Sequence, residues 1–175
     1  QTQTALIPAS SVKGALSHRV AYHYNLLNQH FAGEGEATVG NENPAVQALF
    51  GYENSKWKEP QKRGNILLSD IIEAKNVRKK VLNHVAIDRF TGGAIHGALF
   101  DEETIYGKGE RFTFKLLVNQ AALKKEEDNK NIQQALENAL QDICTGLLPL
   151  GGGVNRGNGV FNGTITKDGK ELHNE

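Results

Sequence analysis

Two short stretches hold residues whose types and spacing suit anion chemistry. The first is "LGGGVNRGNGVFNG", Leu150 to Gly163, with six glycines, three asparagines and one arginine in fourteen residues. Glycine loops that cradle phosphates follow a strand and open a helix, where unpaired N–H groups and the positive end of the dipole meet the ligand. Here the order is reversed, because a helical pattern precedes the loop and a strand pattern follows it. Neither G-x-G-x-x-G nor G-x-x-x-x-G-K-[ST] occurs in the stretch. Two readings fit. One is a helix C-cap at Gly146 or Gly151 and a long turn into a last strand. The other is a backbone surface with no side chains in the way, with Asn155, Arg156 and Asn158 as polar fingers around an anion nest. The entropy lost in ordering each glycine, up to ~1 kcal/mol, weighs towards the second.

The second stretch is "IPASSVKGA", which opens a helical pattern. Ser10 and Ser11 are N-cap candidates. Lys13 puts positive charge in the first turn, where the helix dipole disfavours it. Gly14 weakens the same turn by about 1 kcal/mol relative to alanine. Both departures fit an anion bound there, a phosphate diester being the natural candidate. A serine cap with an incidental lysine is the plainer alternative.

Other reactive side chains make weaker cases. His18, His23 and His30 follow in the same helical segment, but a metal site would want i, i+4 spacing with a carboxylate nearby. Asp101, Glu102 and Glu103 read as a solvated hairpin tip rather than a Mg²⁺ site. Cys144 falls on an apolar helix face and reads as inert core. Trp57, among lysines in "SKWKEPQKR", suits base stacking, a grip on a neighbouring subunit or half-buried loop packing.

The elements that must position these residues follow from periodicity. "TALIP" ends a strand. Val12, Leu16, Val20, Leu27 and Phe31 mark a helix to about Phe31. Residues 32–64 read as an exposed insertion, with a short helix in "PAVQALFG". "NILLSDIIEA" is a strand and "NHVAIDRF" alternates. Residues 90–108 form a protruding hairpin, and "RFTFKLLVNQ" is the clearest strand. Ile132, Ala135, Leu136, Ala139, Leu140, Ile143 and Leu147 mark the clearest helix. "VFNGTITK" is the last strand. This is the βαββαβ order of a single α+β, ferredoxin-like (RNA-recognition-like) domain with insertions over 1–175.

Bulk numbers agree. The chain has 175 residues, 38% of them hydrophobic, and no apolar run approaches a membrane span. The single cysteine excludes an internal disulfide framework and fits a reducing, cytoplasmic setting. Net charge is zero, but Lys56 to Arg89 carries a basic surplus of five. The opening "QTQTALIP", without methionine, reads as the inside of something longer, so the N-terminal strand is expected to be incomplete.

"IPASSVKGALSHR", "ALFG", "GNILLSD", "HVAIDRFTGGAIHGALFDEE" and "LPLGGGVNRGNGVFNG", in that order, resemble the RAMP superfamily of CRISPR-associated proteins, and most of all the backbone subunits of type III effectors that hold guide RNA. The resemblance runs from about Leu6 to Ile165. It implies RNA binding at Ser10, Ser11 and Lys13, more weakly at His18 and Arg19, at Arg89 beside a hairpin root, and at Gly152, Gly153, Asn155, Arg156, Gly157 and Asn158. It implies a thumb hairpin carrying Ile95, His96, Leu99 and Phe100 that wedges into the guide–target duplex. It implies guide RNA, target RNA and neighbouring RAMP subunits in a filament as partners, antiviral defence as the role, no membrane, and no cofactor beyond Mg²⁺ if target RNA is cut. Members that cleave target carry an aspartate in a loop just before the serine–lysine motif. Four residues precede Ala5 here, and no catalytic residue is assigned. Two other classes remain open: an endonuclease acting on target or guide precursor, and a scaffold contacting mainly protein.

Overall fold

A computed structural model describes residues 5–31, 35–52, 61–73, 78–106 and 112–172. Residues 32–34 and 53–60 of the 32–64 segment, Trp57 among them, and the last two positions of the 90–108 segment lie outside them. Two compact units are present: one of residues 1–6 and 70–113, the other of 7–69 and 114–175.

The larger unit is built on two long helices. α1 spans Ala9–Leu27 and α4 spans Asn129–Cys144. Val12, Leu16 and Val20 are fully buried on α1, and Ile132, Ala135, Leu136, Ala139 and Ile143 are buried on α4, as the apolar spacing predicts. The polar contacts fix their direction. Asp142, near the end of α4, meets Arg19 and His23 in the middle of α1. Asn131, near the start of α4, donates to Asn28 just past the end of α1 at 3.1 Å. The helices are therefore antiparallel, and the first turns of α1 lie at the end where α4 stops.

α2 (Pro44–Phe50) buries Ala45, Val46, Ala48, Leu49 and Phe50. The expectation of an exposed insertion over 32–64 therefore fails for this helix. Asn43, fully buried, caps it by accepting from the N–H groups of Ala45 and Val46 at 3.0 and 3.2 Å. Two short strands follow, β2 (Gly51–Tyr52) and β3 (Lys62–Arg63), paired antiparallel.

β4 (Ile66–Leu68) pairs antiparallel with β8 (Leu116–Val118), Leu67 opposite Leu117. The two-residue period turns Ile66 inward, 6% exposed, and leaves Leu67 and Leu117 more than 60% exposed. A single turn, α3 (Gln120–Leu123), capped by the Asn119 side chain, leads towards α4.

In the smaller unit β1 (Ala5–Ile7) pairs with β5 (Ile71–Glu73). β6 (Arg78–His84) and β7 (Phe100–Tyr106) form an antiparallel ladder from Arg78–Tyr106 to His84–Phe100.

The α+β class holds, and the series β1, α1, β4, β8, α4 keeps the ferredoxin-like order with two layered helices. Four local expectations change. Pro8, not Ser10 or Ser11, occupies the N-cap position, because its extended backbone (φ −63°, ψ 139°) and its carbonyl, accepting from Ser11 and Val12, start the helix earlier. α1 stops at Leu27 rather than near Phe31, since Gln29 takes a left-handed φ of 58°. Residues 160–165 form no strand. A small hairpin of β9 (Thr166–Lys167) and β10 (Lys170–Glu171) follows instead, turning through Asp168 and Gly169 at positive φ. Leu147 lies beyond α4 and is 64% exposed.

Candidate nucleic-acid interface

α1 begins beside Pro8, so Ser10, Ser11 and Lys13 all fall in its first turns, and all three are exposed. The Ser17 hydroxyl donates to the Gly14 carbonyl at 2.8 Å, inside the same turns. A Cβ built on Gly14 would meet nothing within 4 Å. The helix there is open to solvent, and nothing within the chain requires glycine.

The glycine loop begins just past α4. Gly146 (φ 80°) turns the chain at the helix end, as a C-cap glycine does. Beyond it, Leu150 is buried, 6% exposed, and its N–H donates to the Gly159 carbonyl at 2.9 Å. This pair is the neck of the loop. Gly159 sits at φ 75°, and a Cβ there would lie 2.0 Å from the Leu150 carbonyl oxygen. The neck therefore demands glycine for steric reasons of its own.

Between neck residues the chain makes one 3₁₀ turn, Val154–Arg156. The N–H groups of Arg156 and Asn158 donate to the Gly153 carbonyl at 2.8 and 3.3 Å, and that of Gly157 donates to Val154 at 3.0 Å. Three amides of the expected anion nest thus point into the loop, because the 3₁₀ turn uses them. The surface of the loop is made of side chains and bare backbone. Asn155 and Arg156 are exposed and Asn158 is half-buried. Gly152 would accept a Cβ with nothing within 4 Å, and its φ is not left-handed. Like Gly14, it is a glycine that the chain itself does not need.

Arg19 stands elsewhere on α1. Its Nε donates to Asp142 Oδ2, and its guanidinium lies over the Tyr22 ring, 4.8 Å from the centroid. His23 Nε2 is 2.6 Å from the same carboxylate oxygen. Asp142 itself is 7% exposed. His18 is exposed, and His30 lies past the end of α1. Apolar periodicity alone misses Asp142. The available signal is a carboxylate three residues after Ala139, on the seam of α4, with Arg19 and His23 at i, i+4 on the facing helix.

In the smaller unit the candidate residues sit on and between the arms of the β6–β7 ladder. Arg89 is exposed on a tight loop closed by the Ile87–Ala94 bridge. The Asp88 carboxylate accepts from Phe90 and Thr91 N–H at 2.7 and 3.0 Å. Those bonds, Thr91 first and then Phe90, hold the Asp88 carboxyl below its usual range. Phe90 at the tip is 100% exposed, a residue that the motif reading passed over. Ile95 and Leu99 are 47% and 71% exposed, and His96 is exposed as well. Phe100 belongs to β7 and stacks on His84 at 4.8 Å.

Asp101, Glu102 and Glu103 are not a hairpin tip. They lie within β7, opposite Asn83, Leu82 and Val81, and alternate between its faces. Glu103 pairs with Lys79 at 2.5 Å, and Glu102 lies 3.2 Å from His84 Nε2. Among the described residues no three His, Cys, Asp or Glu side chains are grouped to hold a metal ion. Cys144 is half-buried, and burial pushes its thiol pKa up. No helix among the described residues is long and apolar enough to cross a membrane.

The family model of the RAMP superfamily matches residues 1–162. The chain belongs to that superfamily of CRISPR-associated, RNA-binding proteins. No curated protein matches it.

Proposed function

We propose that this chain is a guide-RNA-binding backbone subunit or domain of a type III CRISPR effector, acting in cytoplasmic antiviral defence. The observation that carries the proposal is the pair of unneeded glycines. Gly14 and Gly152 each have open space where a side chain would stand, and neither has a backbone conformation that excludes one. Glycine weakens a helix by about 1 kcal/mol at a position like Gly14. A ligand backbone that comes close to both explains their presence.

Charge and placement agree with this reading. Lys13 lies beside Gly14, and Arg156 lies in the loop with Gly152. The antiparallel helix pair puts the first turns of α1 at the end where α4 gives way to the loop. Phosphates along one RNA strand would be held by Ser10, Ser11, Lys13, Asn155, Arg156 and Asn158. Sequence would be left to base pairing between guide and target. The β6–β7 hairpin, with Arg89, Ile95, His96, Leu99 and Phe100, would act as the thumb on that duplex. Neighbouring copies or RAMP subunits would continue the track along the guide.

The experiment is a titration of single-stranded RNA at several salt concentrations. The proposal expects binding that falls linearly on a log–log plot of affinity against salt, despite zero net charge, because the contacts are local cations on phosphates. Salt-independent binding, or assembly with partner subunits and no RNA affinity, would support the scaffold reading instead. RNA cleavage by the chain, lost on changing one histidine or aspartate, would support the nuclease.

A further inference from the structure

The outer face of α1 continues past Ser11, one of the proposed phosphate contacts, into residues that the phosphate track does not use. A helix turns about 100° per residue, so Ser11, His18, Tyr22 and Leu26 fall on one stripe. All four are exposed, Tyr22 at 52%. Arg19 flanks that stripe. Its guanidinium carbon lies over the Tyr22 ring, 4.8 Å from the centroid, and its Nε donates to Asp142.

This arrangement is built rather than incidental. Asp142 is a nearly buried carboxylate on another helix, and a single oxygen of it takes both Arg19 and His23. Removing a carboxylate from water is costly unless its partners are well aligned. The rings of His23 and Tyr22 also form a T-shaped pair, with centroids 5.1 Å apart and planes at 74°. The tyrosine is thus held by a cation over its ring and an imidazole packed against it in a T-shaped pair. Among the described residues Arg19 has no hydrogen-bond partner besides Asp142, and its side chain is 28% exposed. The guanidinium has five donors in a fixed fork, so one edge is occupied and the other is available.

We infer that this face is a nucleotide subsite: a base of single-stranded RNA stacks on the open side of Tyr22, and the adjoining phosphate binds the outer edge of Arg19. His18, one turn before Tyr22, borders the same nucleotide. Asp142 and His23 touch no ligand and act as positioning residues. The inference rests on the RNA-binding reading and adds to it a base-contacting site away from Lys13, which lies about half a helical turn round from Tyr22. An aromatic ring clamped by an arginine suits a base, since every base offers a π-face and stacking is tolerant of sequence.

The test uses the whole chain and a labelled single-stranded RNA of mixed sequence. Tyr22→Leu, a surface change, is expected to weaken binding about tenfold, while Tyr22→Phe stays near the parent because the ring face is kept. Arg19→Ala is expected to lower the salt slope by about one phosphate. Asp142→Asn separates positioning from simple charge. Removing a negative charge would tighten RNA binding if only long-range electrostatics mattered, whereas loss of the Arg19 anchor weakens it. Unchanged affinity in Tyr22→Leu, or tighter binding in Asp142→Asn, overturns the subsite. If Lys13→Ala with Arg156→Ala abolishes binding while Tyr22→Leu does nothing, the subsite fails and the RNA-binding reading stands. If the parent chain binds no RNA, both fail. Loss of partner assembly in Tyr22→Leu with intact RNA binding makes the face a protein contact and overturns the inference.

Discussion

Asp142 on α4 receives His23 of α1 at 2.6 Å, and the same carboxylate oxygen receives Arg19. One side chain thereby joins the two longest helices at the end from which the glycine loop departs. The carboxylate is 7% exposed, so its loss would leave two basic groups without a partner at a helix interface. Asp142→Ala should therefore destabilise the chain by roughly 3 kcal/mol, the low end for a broken buried pair because Arg19 reaches solvent. Denaturant melts measure it. A change below about 0.5 kcal/mol would mean that the helices are held by apolar packing alone.

Tyr24 offers a test with a defined pH window. It is 6% exposed, and burial first, then a hydrogen bond and charge from Asp128, push its pKa from 10.0 to about 12. The folded state holds this proton more tightly than the unfolded state. Its contribution to stability is complete below pH 10 and is lost as pH rises towards 12. Stability should fall across that window, and Tyr24→Phe should flatten the fall. Phenolate absorbance should show a late-titrating step in the native chain that Tyr24→Phe removes.

Gly14 separates the needs of folding from those of binding. A Cβ there meets nothing, so Gly14→Ala should stabilise the isolated chain by about 1 kcal/mol through helix propensity. The same variant should bind RNA more weakly, since the methyl group stands where the phosphate backbone comes close. Thermal melts and RNA titrations on one preparation should move in opposite senses. Stabilisation with unaltered RNA affinity would remove Gly14 from the interface.

Much of the helical framework is legible in the sequence. The apolar stripes of α1 and α4 named their buried faces except at their C-terminal ends, where Leu27, Phe31 and Leu147 are exposed, and the flanking proline and glycine bounded α2. Strands were harder to read. Residues 112–118 alternate strongly, yet only Leu116–Val118 pair, because strand formation needs a partner in register and β4 supplies three positions. "VFNGTITK" fails for a related reason: the chain at Gly163 bonds back to Cys144 at 3.0 Å instead of entering a ladder. At the candidate site, composition showed the glycines but not their separate duties. Gly159 answers to the Leu150 carbonyl, while Gly14 and Gly152 answer to nothing in the chain. Asp142 stayed hidden because a buried charge breaks the apolar pattern that periodicity seeks. Its partners lie 123 and 119 residues away.

The central claim is that Lys13 and Arg156 hold phosphates of one RNA strand. The most direct measurement is the affinity of the Lys13→Ala, Arg156→Ala double variant for single-stranded RNA, taken across a salt series. Two lost phosphate contacts should weaken binding at every salt concentration and reduce the log–log slope by about two units. An unchanged affinity and slope, with the fold intact by thermal melt, would contradict it.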